Sequence, residues 1–236
     1  MARTPEELIW WKSPRNVSVI VDNDSWILDY ANQLVSEIGQ TEDHAVLYRS
    51  YDDIQQGDIA FFLGCTKIAP EDVLSLHKKN LVVHESKLPK GRGFSPLTWQ
   101  VLAGENEVVV SLLEMSGEVD AGPVVYRSQI AFQGHELCQE LRLSQGNATL
   151  ELCLQYLRAE AVPVGEPQAG DPSYYPRRRP NDSELNVFES LAEQFELLRV
   201  VDNERYPAFF DFRGHRYQLK IEKVGAASHM DESSGK

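Results

Sequence analysis

The sequence predicts an α/β fold built on an open, mostly parallel sheet with helices on both faces, followed by a small C-terminal helix and β-hairpin. Three observations predict it. Short apolar runs recur along the first 130 residues, each without the polar alternation of a half-exposed strand. Helix-periodic segments or turn clusters separate them, as in βαβ units. Histidine and aspartate stand where such runs end, and ligands of open α/β sheets bind outside the C-terminal ends of strands.

The elements follow in order. Val17–Val21 is β-branched and apolar, and reads as a buried strand. Asp22-Asn23-Asp24-Ser25 is a turn and N-cap cluster. Ile27, Tyr30, Ala31, Leu34, Val35 and Ile38 recur at helical spacing, and Gly39 ends the run. Ala45–Tyr48 and Asp58–Leu63 read as strands two and three. Pro70 suits the first position of a helix through Leu76. Leu81–His84 is a fourth strand with His84 at its C-terminal end, and Leu97–Ala103 a helix. Glu107–Leu113 and Pro123–Tyr126 are further strands, with Asp120 in their connection. Glu136–Leu157 reads as a long helix broken or kinked near Gly146. This is a Rossmann-like arrangement over residues 1–160.

Residues 161–180 form a Pro-rich linker expected to line a site, with five prolines and two glycines between Val162 and Pro180. Residues 181–224 read as a helix-hairpin subdomain. Asp182 would cap a helix carrying the apolar stripe Leu185, Phe188, Leu191, Ala192, Phe195 and Leu198. Ala208–Phe212, Arg213-Gly214 and His215–Val224 read as a hairpin that must pack on that helix, because two strands alone are unstable in water. Residues 225–236 are small and polar and are expected to be a disordered tail.

The chain has 236 residues and a net charge of −13, with 42% hydrophobic and 25% charged residues. Those are globular values, and the acidity opposes a broad nucleic-acid surface. No run reaches the roughly 18 apolar residues of a membrane helix, and the N-terminus lacks an apolar signal core. Cys65, Cys138 and Cys153 are odd in number without CxxC spacing, so neither a disulfide framework nor a metal site is expected. The chain reads as a cytoplasmic protein without nucleic-acid or membrane partners.

Two stretches carry chemistry. One is Val82-Val-His-Glu-Ser-Lys-Leu-Pro-Lys-Gly-Arg-Gly-Phe-Ser-Pro96. The other is Met115-Ser-Gly-Glu-Val-Asp-Ala-Gly-Pro-Val124. A carboxylate near an imidazole can fix its tautomer and raise its basicity.

Together these stretches resemble the folate-dependent formyltransferases, a family that includes glycinamide ribonucleotide transformylase, methionyl-tRNA formyltransferase and the nucleotide-sugar N-formyltransferases. The family pattern is Asn-x-His-x-Ser-x-Leu-Pro-x-x-Arg-Gly, followed by Asp-x-Gly. His84, Ser86, Leu88, Pro89, Arg92 and Gly93 match the first part, and Asp120 and Gly122 the second. Val82 departs from it: the family has an oxyanion-holding Asn there. Asn80, two residues earlier on the same strand face, is a distant substitute about 7 Å away. The version with Gly-x-Gly-Phe-Ser-Pro is similar to small sugar-formylating enzymes of the pseudaminic-acid-pathway type.

The resemblance implies N10-formyltetrahydrofolate as formyl donor and a UDP- or dTDP-linked 4-amino-4,6-dideoxy sugar as acceptor. It implies His84 and Asp120 as the catalytic pair, with Asp120 orienting His84. Folate would be held by Thr66, Lys67, Ile68 and Ala69, and by Ser116, Gly117, Glu118 and Val119, with backbone groups reading the pterin. The acceptor would meet Ser86, Lys90, Arg92, Gly93 and Phe94, and the cluster Tyr174, Tyr175, Arg177, Arg178 and Arg179, whose guanidinium forks suit a diphosphate. Arg199, Asn203 and Tyr206 would help close that site. A homodimer through the C-terminal region is expected. The alternatives are a methionyl-tRNA formyltransferase-like enzyme, opposed by the acidity and the short C-terminal region, and a non-catalytic folate- or nucleotide-binding relative.

Overall fold

The structure, a computed structural model, describes residues 5–226. The elements are α1 (Pro5–Lys12), β1 (Asn16–Ile20), α2 (Leu28–Ile38), β2 (His44–Tyr48), β3 (Gly57–Phe62), α3 (Glu71–Leu74), β4 (His77–His84), β5 (Arg92–Gly93), α4 (Pro96–Leu102), β6 (Glu107–Glu114), β7 (Val124–Ala131), α5 (Cys138–Arg158), β8 (Tyr174–Tyr175), α6 (Phe195–Val200), β9 (Ala208–Phe212) and β10 (His215–Leu219). The main sheet has the order β2-β1-β3-β4-β6-β7. Its first four strands are parallel, and β6 and β7 join antiparallel.

Alternate residues of the central strands divide between two cores, as a pleated sheet requires. Val17, Val19, Ile59, Phe61, Leu81 and Val83 face α2, α4 and α5. Ile20, Ala60 and Phe62 face α3 and the 3₁₀ turn at Tyr51–Asp53. Both faces carry helix, but the two long helices share one. Gly146 explains how they approach: a Cβ there would lie 2.3 Å from the Tyr30 ring. The glycine therefore seats α2 on α5, and α5 is one continuous helix across it, without the break that was one of the two expectations there.

Other expectations shift for local reasons. The Asp22–Ser25 cluster does not cap α2, which has no side-chain cap. The Asp22 carboxylate instead accepts the backbone N–H groups of Thr66 and Lys67, clamping the loop after β1 to the loop after β3. Burial opposes ionisation of Asp22, but these bonds and one from Asn23 outweigh it and hold the carboxyl below the usual range. The Asp182 helix is not formed as predicted. Asp182 accepts the Arg179 N–H at a short 3₁₀ turn, and regular helix is confined to α6. Between them the Asn186, Ser190 and Gln194 side chains bond nearby backbone groups, competing with helical hydrogen bonds. Phe188 is left 90% exposed.

The hairpin of β9 and β10 does form, and packs Phe210, Leu219 and the following Ile221 against Leu185, Leu198 and Val201. Arg213 and Gly214 both take positive φ, as a two-residue turn matching strand twist demands. Its second strand ends at Leu219 rather than Val224. Positions 227–236 of the expected tail lie outside the described residues.

Candidate active site

His84 sits at the end of β4, where parallel-strand geometry exposes it to the crevice, yet only 5% of its surface is accessible. Asp120 reaches it by a less direct route. β6 runs antiparallel to β4, and its last residue, Glu114, pairs with Leu81. The connection to β7 therefore starts about 10 Å short of His84 and must fold back. Gly122 permits this return: a Cβ there would lie 1.7 Å from the Glu114 carbonyl oxygen. Asp120 itself has φ 52°, a left-handed conformation that side-chain-bearing residues adopt at a cost.

His84 Nδ1 lies 3.6 Å from Asp120 Oδ2. His84 Nε2 lies 2.7 Å from the Gly91 carbonyl. A carbonyl only accepts, so Nε2 carries a proton and Nδ1 faces the carboxylate. The hydrogen bond that orients the ring thus runs to Gly91, where the sequence reading assigned it to Asp120. Asp120 Oδ2 also accepts the Gly93 N–H at 2.9 Å. Gly93 has φ 100° and a Cβ there would sit 2.5 Å from the Tyr175 carbonyl oxygen, so the close pairing of β5 with β8 needs this glycine.

A cavity of about 600 Å³ opens over the pair. Thr66, Lys67, Ile68 and Ala69 line one wall with Ser116, Gly117, Glu118 and Val119. Gly93, Phe94, Arg177 and Arg178 line it too, as do Asn23, Ser25, Trp26 and Tyr206. The Thr66 and Lys67 N–H groups are committed to Asp22, so they are not free to read a pterin. Ile68, 81% exposed, and Val119 line the same cavity. Cys65 also lines the cavity, but burial pushes its thiol up to about 11, which disfavours a thiolate near neutral pH.

Several predicted acceptor residues lie elsewhere. Arg92 is 8% exposed, and its Nη2 donates to Gln168 Oε1 at 2.7 Å. The Gln168 amide donates in turn to the Asp120 and Gly122 carbonyls at 2.7 and 2.9 Å. Arg92 is therefore a buried prop of the Asp120 turn, and Gln168, which sequence reasoning missed, is its link. A lone Gln in a Pro-rich stretch carries no signal for that role. Ser86 is buried outside the cavity wall, and Lys90 is exposed and does not line it. Tyr174 meets Arg92, and Tyr175 stacks on Trp99, so neither ring lines the cavity. Arg179 also lies outside it, with its backbone N–H on Asp182. Arg199 is fully buried, bonded to Asn106, Glu136 and Glu196, and closes no site. Asn203 holds the backbone of Ile221. Asn80 donates to the Leu74 carbonyl and is no substitute for the donor absent at Val82.

Two guanidiniums remain at the cavity. Arg177 lies over the Phe94 ring, 5.6 Å from its centroid. Arg178 donates to the Asp182 carbonyl and Ser183 hydroxyl. Neither forms an ion pair with a carboxylate among the described residues.

Comparison with known proteins bears on this arrangement. Residues 40–146, which contain His84, Asp120 and both motifs, match the formyl transferase family. The matched stretch spans somewhat less than half of the chain. Its fold is similar to methionyl-tRNA formyltransferase from Clostridium thermocellum, with 20% identity, TM-score 0.72, and coverage of 85% of this chain and 89% of that one. It is similar to a sugar N-formyltransferase from Shewanella sp FDAARGOS_354, with 12% identity, TM-score 0.64, and coverage of 90% and 99%. It is also similar to HypX from Aquifex aeolicus in complex with tetrahydrofolic acid, with 15% identity, TM-score 0.66, and coverage of 86% of this chain but 37% of that one. At these identities the likeness is one of fold. It extends to the open, mostly parallel sheet that the sequence predicted.

Proposed function

We propose that this protein moves a formyl group from N10-formyltetrahydrofolate to the amine of a UDP- or dTDP-linked 4-amino-4,6-dideoxy sugar. The observation that carries the reading is the His84–Asp120 pair on the wall of a cavity with two unpaired guanidiniums at its rim. The donor, when bound, supplies an activated formyl carbon. The exposed Ile68 and Val119 side chains fit a flat heterocycle, and the Gly117 and Val119 backbone groups are without partners among the described residues and so free to bond its edge.

Asp120 Oδ1 has no hydrogen-bond partner among the described residues, while Oδ2 is held by Gly93. The free oxygen is the one able to accept a proton from an amine. His84, its ring held by Gly91, keeps Nδ1 beside that carboxylate and carries the proton onward. Arg177 and Arg178 match the charge and fork geometry of a diphosphate. A net charge of −13 disfavours tRNA as the acceptor. The exposed Phe188, Leu191 and Tyr217 support a homodimer through the C-terminal region, which the mass in solution would test.

The test follows tetrahydrofolate release from N10-formyltetrahydrofolate with each nucleotide amino sugar. Release with one sugar is expected, and H84A and D120A should each lose about 10²–10⁴-fold in kcat while remaining folded, as circular dichroism would show. Undiminished transfer by both variants would defeat the assignment.

A further inference from the structure

Glu85 follows His84 directly and lines the same cavity. Nothing in the reading above gives it a task. It lies within hydrogen-bonding reach of Gln145 on α5. The charged groups that act on it are His84, the last residue of β4, and Asp120 on the β6–β7 connection; Arg142 on α5 lines the same cavity. Arg142 is already paired with Asp202 at 2.7 Å. Glu85 itself forms no ion pair among the described residues. A half-buried carboxylate without a counter-cation is electrostatically unfavourable. Burial is the largest influence on it and raises its proton affinity; His84 and Gln145 oppose that, and Asp120 adds to it. Such a group attracts a cation that brings a proton.

The proposed acceptor has that character, because an alkylamine is mostly ammonium at neutral pH and cannot attack a carbonyl carbon in that form. We propose that Glu85 receives the acceptor's ammonium group and takes one proton from it, so that the free amine is generated beside His84 and Asp120. This rests on the formyl-transfer reading. The step balances: R–NH₃⁺ and the carboxylate become R–NH₂ and the carboxylic acid. One N–H bond breaks heterolytically, its electron pair stays on nitrogen, and one O–H bond forms. No oxidant or reductant takes part. The proton then passes to water when product leaves. Glu85 acts on the ammonium, whereas Asp120 acts on the amine after attack.

The experiment compares wild type, E85Q and E85D for kcat/KM across pH, using N10-formyltetrahydrofolate with dTDP-4-amino-4,6-dideoxyglucose and its UDP counterpart. E85Q should lose about 100-fold on the acid side of neutrality. The deficit should shrink steadily toward alkaline pH, where free amine exists in solution, and E85D should restore most of the loss. A purely structural role would lower the rate by one factor at every pH. An infrared difference spectrum of wild type with the amino sugar, without donor, gives a readout independent of turnover and of the variants' folding. A protonated-carboxyl band should appear on binding and be absent from E85Q. Wild-type transfer with no such band, or with an E85Q profile parallel to wild type, overturns the role of Glu85 alone. No tetrahydrofolate release by wild type with either sugar overturns the formyl-transfer reading and this inference with it.

Discussion

The Arg92–Gln168 pair offers a sharp test of how the site is built. A motif arginine next to a cavity invites a substrate role, but Arg92 spends its guanidinium on Gln168 and Tyr174. Substitution with Met keeps much of its apolar stem and removes the fork. A hydrogen bond to a charged group contributes about 1.5–3 kcal/mol, and Arg92 Nη2 to Gln168 Oε1 is such a bond. Q168L removes that acceptor and also strips the Asp120 and Gly122 carbonyls of their donor, each worth about 1 kcal/mol. R92M should therefore cost about 2 kcal/mol and Q168L about 4 kcal/mol. The double variant should cost less than the sum by roughly 1–2 kcal/mol, since the shared bond can be lost only once. Urea denaturation of the four proteins measures these differences. In parallel, kcat should fall in both single variants, because the Asp120 turn loses its prop, with little change in acceptor KM. Additive stabilities, or a rise confined to acceptor KM, would refute the positioning role and return Arg92 to substrate contact.

Three further outcomes follow from the same geometry. R177A and R178A should each weaken acceptor binding about tenfold, with an effect that shrinks in high salt, as titration calorimetry in two ionic strengths would show. R199M should destabilise by about 3–5 kcal/mol, because it strands Glu136 around a fully buried guanidinium site, and a fall in melting temperature of roughly 10 °C is expected. Burial tends to raise the Asp202 carboxyl, but hydrogen bonds from Glu204, Arg205 and Arg142 outweigh it and hold it below its usual 3.8. Its contribution is then complete above that pH and fades as pH falls through the lower folded value, so D202N should destabilise at neutral pH and converge with wild type in strong acid.

The central strands, α2 and the His84 strand end were legible because each depends on local pattern. Apolar runs cannot stay exposed, and a strand end delivers its last side chain to the crevice wherever the sheet is parallel. Less was legible where a side chain had to choose among partners distant in sequence. Asp22 could cap a helix or clamp a loop, and the position of the Thr66 and Lys67 amides decided between them. The stripe from Leu185 to Leu198 has helical spacing, yet Asn186, Ser190 and Gln194 satisfy their backbone neighbours locally and leave Phe188 in solvent.

The sequence by itself determined the class of fold, the placement of His84 at a strand end and of Asp120 in the connection between two later strands, and a net charge of −13. Those properties reside in residue type and local pattern, which any compact state must respect; that His84 and Asp120 act as a pair came only from the resemblance to a family. Only the tertiary structure decided which charges remain available. It closed Arg92 and Arg199 inside hydrogen-bond networks, left Arg177 and Arg178 unpaired at the cavity, turned His84 onto Gly91, and placed Glu85 on the cavity wall without a counter-cation. A charged side chain announces its charge in sequence, but its partner is set by which distant segments the fold brings within about 3 Å.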